Sequence, residues 1–342
     1  MKPALPKIDP AKRTAVPLEP EFSPQEALKI VRVFVIALVV PLVFQIVAWF
    51  TPTQTNLAAA CVRSGMQWVL THGLHEGNRD VYLAREGWLF SHAEINRLVH
   101  AKRENNETQA RLTALASRLK AQETSLLVVL IPGRATLYPE QIRDGRYTGP
   151  VRLKEENATV SELTAAGIDV MDMTDALWEF RDRQQVFFAQ DSHWTPEAMK
   201  AVALAVNKQV REKFPRLAST ETPIINATIQ EQVDSGDLSR RLDPLNAARL
   251  LGDEGADLIS IQGIEPSAKS PIVLHGGEWL RVFDDPQLSF GGGGESPRAG
   301  FATQLGMLFG RPVDVRGMPQ AGEGYEDKKL VIWLLPMTEL VP

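Results

Sequence analysis

Beyond residue 80 the chain alternates short, strongly apolar runs with longer stretches of helical period. The strand-like runs are Ser125–Ile131 (SLLVVLI), Gly167–Met171, Gln185–Ala189, Pro271–His275 (PIVLH), Pro312–Val315 and Leu330–Leu335 (LVIWLL). Helical patterns lie between them, at about 94–122, 158–166, 196–214 and 298–310. Successive side chains of a strand point to opposite faces, so a run that is apolar at every position needs cover on both. The alternation therefore predicts an α/β fold, a mostly parallel sheet sandwiched between helical layers. In such sheets sites form in the loops beyond the carboxyl ends of strands. That selects Pro132–Pro139, Gln190–Pro196 and Gly276–Phe283. The stretch 216–266 is polar, turn-rich and weakly patterned, and reads as an insertion at the sheet's edge.

A second feature stands earlier. Val33–Phe50 (VFVIALVVPLVFQIVAWF) is an eighteen-residue apolar run interrupted only by Pro41 and Gln45. At about 1.5 Å per residue it extends roughly 27 Å, close to the hydrocarbon thickness of a bilayer. A buried core helix and a cleaved signal peptide fit it less well, since it starts late and no small-x-small cleavage site follows. Lys2, Lys7, Lys12, Arg13, Lys29 and Arg32 precede or open the segment, whereas only Arg63 and Arg79 occur in the thirty residues after it. The basic bias predicts a cytoplasmic tail over 1–28, one transmembrane helix over 29–50, a juxtamembrane connector over 51–80 with a short helix near Leu57–Leu70, and an extracytoplasmic domain over 81–342. The localisation expected is thus a single-pass protein of the cytoplasmic membrane, its domain in the periplasm or outside.

Composition removes several function classes. A net charge of -5 lacks the basic footprint of a nucleic-acid binder. The single cysteine, Cys61, excludes an intramolecular disulfide and a cysteine-based zinc cluster. His72, His75, His92 and His100 are scattered over the connector and first helix without metal-ligand spacing, and no metal or cofactor is expected. Gly291–Gly294 lacks the Gly-Lys-Ser/Thr of a phosphate loop.

The sharpest constellation is Asp191-Ser192-His193-Trp194-Thr195-Pro196, between a strand-like run and a helix opened by Thr195 as N-cap and Pro196 at the first helical position. An Asp two residues before a His in a rigid loop can orient the imidazole as the third member of a Ser-His-Asp triad does. On spacing alone, a turn Asp beside an incidental His is an equally good reading.

DSHWTPEA resembles the Asp-x-His-Trp-Thr-Pro motif of the SGNH-hydrolase-like domain in the alginate O-acetyltransferase family, the AlgX and AlgJ group. REGWLF at Arg85–Phe90 is similar to that family's Gly-x-x-Gly-Trp-Leu-Phe motif, with Ala84 where the first Gly is usual. VLIPGRATLYPEQI at Val129–Ile142 resembles its strand and Lys-x-x-x-Tyr-Pro segment, with Arg134 at the basic position and Tyr138-Pro139 intact. AGFATQLGMLFGRPVDV at Ala299–Val315 resembles the helix and strand after the nucleophile. The resemblance spans about residues 81 to 340. It implies a three-layer SGNH-like sandwich, exopolysaccharide O-acetylation, and His193 as general base with Asp191 orienting it. Arg134 and Tyr138 are candidate contacts to an anionic glycan, with a structural role an equal alternative for each. A polysaccharide and a membrane-bound O-acyltransferase are the partners the resemblance implies.

The family's nucleophile is the Ser of a Gly-Asp-Ser motif after the central strand. Here Gly276-Gly277-Glu278 stands in its place, and a second registration on Phe283-Asp284-Asp285-Pro286 offers no Ser either. Ser289 and Ser296, flanking Gly291–Gly294, are the other hydroxyls in the region, and loop serines are their simpler reading. Two functions remain open: a degenerate-site member that binds glycan or scaffolds, favoured by Glu278, and an active O-acetyltransferase with an unusual nucleophile, kept open by Asp191 and His193. A related esterase is a weaker third, disfavoured by the same missing Ser.

Overall fold

The computed structural model describes residues 28–29, 31–35, 39, 64–100, 107–217, 225–243 and 251–341. The chain divides into two compact units, Met1–Arg63 and Ser64–Pro342. In the first, 28–29, 31–35 and 39 are helical. Most of the expected 29–50 span, nearly all of the tail and the connector up to residue 63 lie outside the described residues. Among the described residues no helix is long and apolar enough to cross a membrane. The second unit begins at Ser64, so the later part of the expected connector belongs to it.

The second unit is organised by five strands: β3 (Ser125–Ile131), β4 (Asp169–Asp172), β7 (Ile272–His275), β8 (Asp314–Arg316) and β9 (Leu330–Pro336). Their order is β4-β3-β9-β7-β8, and every neighbouring pair is parallel. Alternate residues go to opposite faces. Leu127, Val129, Ile131, Ile272, Leu274, Ile332 and Leu334 enter one core, while Val128, Leu130, Val273, Val331, Trp333 and Leu335 enter another. The first core is completed by α3 (Pro196–Lys213), through Val202, Val206 and Val210, and by α4 (Phe301–Phe309), through Phe301 and Leu305. The second is completed by Leu112, Leu115 and Leu119 of α1 (Glu107–Ala121) and Leu163 of α2 (Lys154–Ala165). The doubly apolar runs thus become the middle of three layers. Truncating a buried residue of β9 such as Ile332 to Ala would remove about 2–5 kcal/mol, the usual range for such a cavity.

Two small antiparallel ribbons flank the sandwich. β1 (Val81–Leu83) pairs with β2 (Leu89–Ser91). β5 (Asn226–Asp234) and β6 (Glu254–Gln262) pair along their full length within the polar 216–266 stretch and carry a helical segment, Asp237–Leu242, between them.

The structure departs from the periodicity in two places. The single helix expected at 94–122 is two, His92–His100 and Glu107–Ala121. The run Gln185–Ala189 does not join the sheet; it makes one isolated bridge, Phe187 to Trp194. Its β-rich side chains are buried as apolar contacts, and its amides find non-strand partners. Val186 N–H donates to the Tyr138 hydroxyl at 2.8 Å, and Ala189 N–H to Glu254 at 2.8 Å. Side chains there replace the ladder that hydrophobicity alone would suggest.

Candidate active site at the carboxyl edge of the sheet

The loop after Ala189 is held from several directions before it reaches the histidine. Glu254, at the start of β6, accepts the N–H groups of Ala189 and Gln190 at 2.8 and 2.7 Å. The Gln190 carbonyl accepts Leu238 and Ser239 N–H groups from Asp237–Leu242. That approach requires Gly236, at φ +80°, where an added Cβ would lie 2.3 Å from the Gln190 oxygen. Beyond the loop, the Thr195 side chain caps α3 by accepting from Ala198 N–H at 3.2 Å.

Asp191 is fully buried. Its Oδ1 accepts both His193 N–H at 2.9 Å and His193 Nδ1 at 2.7 Å, and its Oδ2 accepts Asp237 N–H at 2.8 Å. Burial opposes the charge on Asp191, but the His193 hydrogen bond and charge, with the Ser289 hydroxyl, hold it well below the usual carboxylate range. Burial likewise opposes a charged His193. The Asp191 hydrogen bond and charge outweigh it, with Asp237 and Glu278 adding, so the imidazole sits above its ordinary value. Asp237 is pushed up by burial and then by the Asp191 charge, although its oxygens accept Ser192 N–H at 2.6 Å and Ser192 Oγ at 3.0 Å.

Asp191, His193 and Asp237 each offer an atom within 4.8 Å of the others, a spacing that could hold a cation. The donors argue for a different role. Both Asp191 oxygens and both Asp237 oxygens already accept protein N–H or O–H groups, and Nδ1 faces Asp191. A cation would have to displace that network.

On its other side the imidazole meets the turn after β7. His193 Nε2 lies 3.9 Å from Glu278 Oε2, and the Glu278 side chain is 60% exposed. Glu278 opens a single helical turn, Glu278–Arg281, directly after Gly276-Gly277. Trp279 wedges that turn against the histidine loop, its ring 5.8 Å from His193 and 5.4 Å from Trp194. The structure thus brings Asp191, His193 and Glu278 together, Asp191 on the Nδ1 side of the ring and Glu278 on the Nε2 side.

The second registration is accounted for differently. Asp284 Oδ1 accepts Gly300 N–H at 2.8 Å and the Thr303 hydroxyl at 3.2 Å, which ties it to the start of α4. Burial raises its pKa to about 6. Both serines are engaged away from the Nε2 side of His193. Ser289 is buried against the Asp191 carboxylate and accepts Arg240 Nη2 at 2.7 Å, on the Nδ1 side of the ring's partner. Ser296 is exposed and donates to the Asp284 carbonyl.

A cavity of about 350 Å³ opens beside these groups, at the carboxyl ends of β3 and β9. Glu94, Arg97, Arg134, Ser192, Trp279 and Thr338 are among its walls. Asp191, His193 and Glu278 line neither this cavity nor the larger ones of about 510 and 700 Å³; this one is walled by their chain neighbours Ser192 and Trp279. Arg134 is more deeply placed than a rim residue. It is buried, donates from Nη2 to the Phe188 and Ala189 carbonyls at 2.9 Å each, and lies over the Trp88 and Phe90 rings. Burial lowers its pKa against the opposing charges of Glu94, Asp191, Asp237 and Glu254. Its Nη1 and Nε have no protein partner. Tyr138, the other candidate glycan contact, is buried: its hydroxyl accepts Val186 N–H, its ring packs 4.3 Å from Trp88, and burial pushes its pKa up. Its phenol supports the loop and does not face the cavity's lining.

Asp237, Glu254 and Trp279 complete the site and were not singled out by the sequence. The first two lie in a stretch without periodicity, and Trp279 reads as one more apolar residue after a strand.

The profile of the SGNH hydrolase-like domain, acetyltransferase AlgX, matches residues 81–323. Among curated proteins the chain is 29% identical over 175 residues to the probable alginate O-acetylase AlgJ of Pseudomonas aeruginosa and 26% identical over 175 residues to that of Pseudomonas syringae. Each alignment covers 50% of this chain and 44% of the relative, so the match spans less than half the length of those proteins. Among solved structures, the O-acetyltransferase domain of Pseudomonas putida AlgJ superposes with TM-score 0.56 at 18% identity, covering 77% of this chain and 92% of that one. Pseudomonas aeruginosa AlgX does so with TM-score 0.52 at 18% identity, covering 75% and 62%. Sequence profile and α/β architecture agree, and the chain belongs to the AlgX-type acetyltransferase family of SGNH hydrolase-like domains.

Proposed function

We propose that this chain serves alginate-type exopolysaccharide O-acetylation as a degenerate-site member, binding glycan or scaffolding a membrane-bound O-acyltransferase. In this reading it is anchored through 29–50, with its folded domain outside the cytoplasmic membrane. The observation that carries the proposal is the 3.9 Å approach of Glu278 to His193 Nε2, the nitrogen that would take a proton from a nucleophile. A carboxylate has no such proton to give at neutral pH. An acyl group placed on it would form a mixed anhydride, far more labile than an acyl-serine. The carboxylate also favours the imidazolium, which cannot act as base. Loss of a triad nucleophile lowers turnover by about six orders of magnitude.

The competing reading is an active O-acetyltransferase in which Asp191 and His193 serve an unusual nucleophile, and the intact 2.7 Å Asp191–His193 hydrogen bond favours it. Two assays on the full chain separate the readings. Degenerate function predicts binding of a polyuronate without transfer of acetyl groups to it from an activated ester. Acetyl transfer abolished by His193→Ala would reject the degenerate site. Failure to bind any polyuronate would reject the glycan-binding role and leave scaffolding.

A further inference from the structure

The helix that opens the second unit is built inside out. It runs over 64–69, closes with a wider π-type turn at Leu70–Leu74, and ends at His75 in the left-handed region, φ 55°. Its buried positions, Ser64, Gln67 and Thr71, share one face and are all polar. Each is hydrogen bonded: Ser64 Oγ donates to Asp243, Gln67 Nε2 to Thr71 Oγ1 and the Gly77 carbonyl, and Thr71 Oγ1 to the Glu76 carbonyl. The outward face is largely apolar, with Met66 55%, Trp68 49%, Val69 55% and Leu74 61% exposed, and His72 stacks on the Trp68 ring. A helix on a water-facing surface carries the opposite arrangement. Elsewhere among the described residues of this unit, large exposed apolar side chains are Leu204, Ile229 and Val233, none of them near this segment in sequence.

We propose that this face lies in the headgroup region of a lipid bilayer, a second membrane contact separate from the apolar run. The inference rests on the membrane-anchor reading. Three observations select lipid. No Asp or Glu occurs from Thr51 to His75, so nothing on the segment repels an anionic lipid surface. A tryptophan among aliphatic residues has the amphipathic chemistry of the interface. Thirteen residues, 51–63, join Phe50 to Ser64, a reach of at most about 45 Å even fully extended. A chain anchored at Phe50 therefore holds this helix within that distance of the surface. A second copy fits less well, because one face of so short a helix offers far less than the roughly 800 Å² per partner of a stable protein interface.

The test uses the full chain with Cys61→Ala, reconstituted in vesicles of phosphatidylethanolamine and phosphatidylglycerol. A nitroxide is attached at Val69→Cys, and in a second sample at Ile229→Cys, whose native side chain is 74% exposed on the ribbon. Lipid contact predicts that oxygen relaxes the label at 69 efficiently, whereas a water-soluble nickel chelate reaches it several-fold less than the label at 229. Adding Met66→Glu and Trp68→Glu should abolish that difference, and the fold should persist because the inward polar face is untouched. A label at 69 as open to nickel as that at 229 would overturn the proposal, as would one shielded from both reagents, which would indicate a second copy. Alkaline extraction isolates the underlying reading. Release of the chain would refute the anchor, whereas a retained chain with a nickel-accessible label would refute this contact alone.

Discussion

The two sides of the His193 ring differ sharply in how they are held. On the Nδ1 side, Asp191 is inaccessible to solvent and bonded to His193, Asp237 and Ser289, and its loop is fastened by Glu254 and by the Asp237–Leu242 segment. On the Nε2 side, one carboxylate at 3.9 Å stands largely in water. The first side belongs to the packing of the domain, because removing any member leaves buried polar groups unpaired. The second is a surface feature that the fold does not need. An Asp–His pair held in this way has a structural role of its own, and its presence alone is weak evidence of catalysis.

The largest effect expected from breaking this contrast comes from Asp191→Ala. It uncovers the imidazole, the Asp237 N–H and the Ser289 hydroxyl together, and should remove about 3–5 kcal/mol in urea denaturation, the range for breaking a buried charged pair. Glu254→Ala comes next, at about 1–3 kcal/mol, because two loop N–H groups lose their acceptor. Hydrogen exchange at Ala189 and Gln190 should rise with it.

The pH dependence sharpens the same contrast. His193 is raised in the folded state, so its pairing stabilises fully below the unfolded value of about 6.5 and fades as pH rises through the higher folded value. Asp191 is depressed, so its contribution is present above about 3.9 and is lost as pH falls through the lower folded value. Asp284 works in the opposite sense to Asp191. Raised to about 6 from 3.8, it makes the fold lose stability as pH rises between those values. Asp284→Asn, which keeps an acceptor for Gly300 and Thr303, should flatten the stability profile in that window. The smallest effect is that of Glu278→Gln. It should leave stability unchanged and lower the His193 titration midpoint slightly, because an exposed partner is strongly screened.

Much of the fold was legible before the structure because β3 and β9 are apolar at successive positions, which only a strand covered on both faces explains. The Thr195-Pro196 signal likewise located the start of α3. Gln185–Ala189 misled for a physical reason: its β-rich residues are buried by contacts from a loop, and hydrophobicity does not distinguish that burial from a strand's. At the site, Asp191 and His193 stood out because two residues of sequence place them together. Asp237 and Glu254 were invisible because their roles arise where a long polar ribbon folds back, forty or more residues from the groups they hold. Tyr138 looked like a glycan contact on motif position, but its phenol is committed to Val186. A short helix was expected near Leu57–Leu70, and what the sequence hid in its described part at 64–74 was the inversion, because a face of Ser, Gln and Thr reads as the solvent side.

Under the proposed function, Glu278 occupies the place of a nucleophile without acting as one. Intact-mass and peptide analysis after brief exposure to 4-nitrophenyl acetate tests it directly. The account predicts no acyl adduct at 278 in the wild type. Glu278→Ser combined with Gly277→Asp should form one that disappears when His193→Ala is added. An acyl group on a wild-type serine such as Ser289, lost with His193→Ala, would contradict the account and identify a working nucleophile.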